Sequence, residues 1–137
     1  MSFEIGKMYN RQKELHDKFG GNRQSGISTC ANYPIIFLFK SPSGKIHGYQ
    51  DGWVSKDIYH YTGEGQFGNM ELVRGNLAIK EHKARDKQLH LFEKEKSGSG
   101  MYRYLGQFEY IRHKNIPTVD SDQVKREAIV FELRKLP

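Results

Sequence analysis

Five consecutive apolar residues, Ile35-Ile36-Phe37-Leu38-Phe39, constrain this chain more than any other stretch. A run this short, without polar alternation and followed by a Ser-Pro-Ser-Gly turn, predicts a strand buried on both faces. Such a strand needs neighbours on either side and cover above and below. Immediately before it lies Gly20–Pro34 (GGNRQSGISTCANYP), with three glycines, one arginine and several short polar side chains. A polar loop joined to a buried strand holds a binding surface on a rigid base. Its glycines let backbone N–H groups approach an anion, and Arg23 adds a planar, permanently charged fork.

The rest of the chain reads as one unit over residues 1–137. Met8–Phe19 has the spacing of a short amphipathic helix, with Met8, Leu15 and Phe19 inward, and Gly20-Gly21 stop it. After the buried strand, Lys45–Tyr49 is expected to return as a hairpin. Trp53 is assigned to the core, the usual place of a lone tryptophan. Ile58–Tyr61 reads as a strand, and Thr62–Asn69 (TGEGQFGN) as a second glycine-rich loop. Asn76 is placed as N-cap of a brief helix, LAIKEHKA. Gln88–Glu93, Met101–Ile111 and Arg126–Leu133 read as strands, with Arg112–Gln123, which contains Pro117, as an irregular connection. The expected class is α+β: a curved, mainly antiparallel sheet or partial barrel with an N-terminal helix and one short internal helix. Ending directly after a strand, the chain is expected to continue into a further domain.

Composition narrows the function classes. A single cysteine, Cys30, leaves no internal disulfide and no multi-thiolate zinc site, which suits the cytoplasm. No apolar run approaches the ~20 residues needed to cross a bilayer. The formal charge of +6 and pI of about 9.4 suit a polyanionic partner. The six histidines (16, 47, 60, 82, 90 and 113) are scattered, without metal-ligand spacing. Glu64 and Glu71 lack a partnered nucleophile, and Gly63-x-Gly65-x-x-Gly68 lacks the βαβ context of a dinucleotide fingerprint. The chain is therefore read as a binding module without metal or cofactor. Arg11, Arg23, Lys56, Lys80, Lys83 and Arg85 flank the glycine-rich loops, with Tyr33, Tyr59, Tyr61 and Phe67 among them. Basic groups position a phosphate backbone, and aromatic or amide groups read bases.

Two motifs together, FGGNRQSGIS followed by YP, and YTGEGQxGNMxLxxGNxAIxxH, resemble the sulfur-binding domain of type IV, modification-dependent HNH restriction endonucleases. The later strands LHLFE, YRYLG and AIVFEL fit the same pattern. Asn69 stands where aspartate is expected and Cys30 where proline is common. The resemblance implies a reader of phosphorothioate-modified duplex DNA, separate from an HNH nuclease domain that cuts. In that reading Ala31, Tyr33 and Pro34 form a small apolar cup for the sulfur, which is larger and more weakly hydrated than oxygen. Arg23, Gln24, Ser25, Gly26, Ser28, Thr29 and Asn32 are the candidate phosphate and base contacts. Tyr61, Thr62, Gly63, Glu64 and His82 stand beside them. The alternative is a general nucleic-acid-binding module without sulfur dependence.

Overall fold

The computed structural model describes residues 3–41, 52–95 and 100–137. In chain order it has β1 (Met8–Asn10), a π-helical turn (Arg11–His16), the single α-turn α1 (Asp17–Phe19), β2 (Ile27–Thr29) and β3 (Ile35–Lys40). Then follow β4 (Gly52–Trp53), β5 (Ile58–Thr62), α2 (Arg74–Lys80), β6 (Gln88–Lys94), β7 (Met101–Val119) and β8 (Lys125–Lys135). Among the described residues the strands form one sheet in the order β2-β3-β6-β7-β8-β5-β4, with β1 paired to β7 outside that path. Every pairing is antiparallel except β3 with β6. The expected α+β class with a curved, mainly antiparallel sheet holds, and the sheet is open.

β3 supplies a core on each face, as its unbroken apolar run requires. Ile36 and Leu38 join Ile79, Leu89, Leu91, Phe108 and Phe131 on one side. Ile35, Phe37 and Phe39 join Leu15, Phe19, Phe92 and Tyr104 on the other. Alternate residues of a strand point to opposite faces, so one strand anchors both clusters. α2 lies over the first face, and the N-terminal helical turns lie over the second.

Several expectations are corrected. The N-terminal helix begins later, because Met8–Asn10 pairs with Met101–Arg103 and Asn10 caps the turn through Lys13 N–H. Arg112–Val119 is no irregular connection: it continues β7, paired with β8 through Val119↔Lys125. Pro117 fits because this half of β7 has β8 as its partner strand, leaving an edge where no N–H is needed. Trp53 is 38% exposed, lying edge-on to Tyr59 rather than filling the core. Asn76 lies within α2, whose N-cap is Val73. The expected Lys45–Tyr49 strand falls outside the described residues.

Candidate functional site

The first glycine-rich loop is built around a buried arginine. Arg11 is 7% exposed, and its guanidinium stacks 3.8 Å above the Phe39 ring. Its Nη2 donates to the Asn22 and Ser25 carbonyls (3.1 and 2.6 Å), and its Nε donates to His16 Nε2 (2.9 Å). His16 Nδ1–H then donates to the Gly20 carbonyl at 2.8 Å. Arg11 therefore shapes the loop from within rather than flanking it as a free cation. Burial lowers the His16 pKa from its ordinary value, keeping the ring the neutral acceptor that Arg11 requires. Asn22 Oδ1 accepts from Gln24 and Ser25 N–H, both at 2.8 Å, completing an Asx turn. Gly21 is obligatory at φ +87°, where an added Cβ would lie 2.5 Å from Ser28 Oγ.

This frame sorts the expected contact residues. Arg23, Gln24, Gly26 and Thr29 are exposed and Ser25 is half-buried. Ser28 is buried, donating to the Asn22 carbonyl. Arg23 is held by Asp17 (2.8 Å) and Gln12. Ala31, Asn32, Tyr33 and Pro34 form the exposed turn at the end of β2 opposite Gly26. Tyr33 sits edge-on to Phe19, and Lys87 Nζ reaches the Tyr33 carbonyl at 3.5 Å. Cys30 turns inward from this turn: its side chain is fully buried, and burial pushes its thiol pKa up to about 11. The folded protein should therefore take up no thiol label at pH 8 and should label fully in denaturant, which a mass measurement would check.

The second glycine-rich loop meets the first through Tyr61, which is buried and donates to the Gly26 and Phe39 carbonyls at 3.0 Å. Thr62 and Gly63 are half-buried and lead into the loop. Its organiser is Asn76, 1% exposed. Asn76 Oδ1 accepts Glu64 N–H, and its Nδ2 donates to the Glu64 and Glu71 carbonyls, all at 2.9 Å. Gly63 is required beside it, since a Cβ there would lie 2.6 Å from Asn76 Oδ1. Glu64 in turn accepts Gly75 N–H.

A cleft of about 380 Å³ opens between this loop and the start of α2, lined among others by Glu64, Phe67, Met70, Glu71, Arg74 and Asn76. Its outer wall is tied to the β7–β8 hairpin. Asp120 accepts Gly68 N–H, Ser121 N–H donates to the Gln66 carbonyl, and Arg126 donates to the Gly65 and Gly68 carbonyls. The Gly68 N–H bond, with two more from the hairpin backbone, holds the Asp120 carboxyl below its ordinary pKa. Asn69 Oδ1 accepts Glu127 N–H at 2.7 Å, a task the expected aspartate would also perform. Phe67 stands 62% exposed on this pinned wall.

His82 does not join the cleft. It is 4% exposed, accepts Tyr110 N–H at Nε2 and donates from Nδ1 to the Lys87 carbonyl. Sequence reasoning missed Arg74, Asp120 and Arg126. The hairpin pair carried no signal, because the segment joining them was read as irregular. Arg74 carried one faint signal, its place directly before Gly75-Asn76. Among the described residues no three His, Cys, Asp or Glu side chains are grouped to hold a metal ion.

No curated protein matches the chain significantly. Among solved structures, the sulfur-binding and SRA domains of ScoMcrA complexed with phosphorothioated DNA align over 100% of this chain and 41% of that one, with 21% identity and TM-score 0.77. The type IV phosphorothioation-dependent restriction endonuclease ScoMcrA aligns with 21% identity and TM-score 0.78, covering 100% of this chain and 25% of that one. The present chain thus spans less than half of either. The SUVH5 SRA domain in complex with fully methylated CG DNA aligns with 22% identity and TM-score 0.68, over 98% of this chain and 89% of that one. The family model for the ScoMcrA-like SRA domain matches residues 5–137. The two glycine-rich motifs that resembled a type IV restriction reader fall within this match, and the chain belongs to the ScoMcrA-like SRA domain family.

Proposed function

We propose that this domain is a reader of modified duplex DNA, a binding module whose cleft receives the modified nucleotide. The carrying observation is the cleft itself: a polar concavity with Glu64 and Glu71 carboxylates beside exposed Phe67, held open by Asn76 and the hairpin. Carboxylates accept from an exocyclic amine, and an aromatic face stacks on a base. Structures of similar fold, SUVH5 SRA with methylated CG DNA and ScoMcrA domains with phosphorothioated DNA, support a modified duplex as the partner.

A second reading places a backbone sulfur at the Ala31–Pro34 turn, supported by the exposure of Ala31, Tyr33 and Pro34 and by the Lys87 ammonium beside them. Sulfur loses less than a charged oxygen on leaving water, so an apolar notch would favour it by roughly ten- to hundredfold. In either reading the domain serves a longer restriction protein whose nuclease lies elsewhere.

One titration separates the readings, using a single duplex sequence in plain, 5-methylcytosine, 5-hydroxymethylcytosine and phosphorothioate forms. Tighter binding to a methylated form, reduced at least tenfold by Glu71→Gln, supports the cleft. Tighter binding to the phosphorothioate form, lost in Pro34→Ala while affinity for plain DNA stays, supports the turn. Equal binding to all four removes both readings and leaves a general nucleic-acid-binding module.

A further inference from the structure

Arg74 differs from every other arginine in the chain. Among the described residues its guanidinium has no hydrogen-bond or ion-pair partner. The other seven each engage a carboxylate, a carbonyl or a ring nitrogen. Arg74 is also held at φ +47°, a left-handed conformation costly for a residue with a Cβ. The residue that follows is a glycine, so the chain has a residue suited to this conformation one position away. Finally, Arg74 lines the cleft with Glu64 and Glu71, bonds to neither, and is the one cation of the lining among the described residues.

We infer that Arg74 is the phosphate-positioning residue of the cleft, binding a backbone phosphate at its mouth while the half-buried Glu64 carboxylate admits only an uncharged group bearing a donor. This assignment rests on the DNA-reading function proposed above. Charge divides the cleft chemically. A phosphate drawn inward would meet half-buried Glu64, so the anion stays at the exposed rim, where Arg74 stands. An arginine presents two parallel N–H donors to phosphate, and an unpaired one is ready to do so without first breaking another bond. The backbone strain then has a function: relaxing it would redirect the side chain.

The test is a comparison of Arg74→Gly and Arg74→Lys with the unaltered domain, measuring duplex affinity from 50 to 200 mM salt and thermal stability. Glycine accepts the left-handed conformation, so Arg74→Gly should raise Tm by about 2–6 °C. The same variant should bind roughly tenfold more weakly at the low-salt end, with the slope of log K against log salt shallower by about one. Arg74→Lys should restore the slope without the gain in Tm. An Arg74→Gly variant that keeps the full slope overturns the assignment. Loss of preference among duplexes with an unchanged slope would make Arg74 a base-reading residue and also overturn it. If the unaltered domain binds no duplex, the DNA-reading function itself fails.

Discussion

Asn76→Ala is expected to destabilise the domain by about 3 kcal/mol or more and to abolish binding through the cleft. Three hydrogen bonds end on this one buried amide. Removing it leaves the Glu64 N–H and the Glu64 and Glu71 carbonyls without these partners, each at a cost of about 1–3 kcal/mol where water cannot replace it. Against a typical total of about 5–15 kcal/mol, this is a large fraction. Asn76→Asp is the sharper variant. It retains an acceptor for Glu64 N–H, but turns a second oxygen toward two carbonyls that need a donor. It should be as damaging as alanine despite its matching shape, and urea unfolding of the three proteins would show this. A stable Asn76→Asp protein with normal binding would remove Asn76 as the organiser of the cleft.

The second large effect is acid sensitivity that sets in above the carboxylate range. His90 is 6% exposed, accepting the Tyr104 hydroxyl at Nδ1 (2.7 Å) and donating from Nε2 to Gln88 Oε1 (2.9 Å). Burial lowers its pKa from 6.5 to about 4. The unfolded chain therefore binds this proton more readily than the folded one, and stability rises with pH across the interval. In the other direction, His90 alone should remove about 3 kcal/mol as pH falls from 6.5 to 4. His16 and His82, also lowered by burial, act in the same sense. Asp120 and Glu109, whose pKa values are lowered by hydrogen bonds, add their losses only below their ordinary values of 3.8 and 4.5. Denaturant midpoints between pH 7 and 4 should thus fall steadily, and more gently in His90→Gln. A flat profile over that range would show that His90 is not held neutral.

How much of this was legible depended on whether a residue's role was local. The run Ile35–Phe39 announced a strand covered on both faces, because unbroken apolarity admits few other solutions. The two glycine-rich loops were likewise visible, since turn chemistry is written in adjacent residues. Asn76 was misread because its local signal, a cap residue ahead of an apolar run, competed with distant bonds to Glu64 and Glu71. Arg11 was taken for a surface cation, since nothing nearby in sequence reveals that Phe39 and the Ser25 carbonyl will surround it. The outer half of β7 was hidden for a related reason. Polar residues and Pro117 suit a two-stranded arm at a sheet margin as well as they suit a loop.

The ion pairs have a consequence for how the protein meets a polyanion. Lys83 and Arg134 are neutralised at Glu109, Arg112 at Glu132, Arg85 at Glu81 and Arg103 at Glu95, while Arg11 is enclosed. Five of the 22 basic side chains are thus matched by four carboxylates and a sixth is enclosed, while the net charge of +6 is left to displace ions from a nucleic-acid surface. That unpaired surplus would give the proposed reader a loose, salt-sensitive hold on any duplex, along which it could search until a chemical mark added the specific contact.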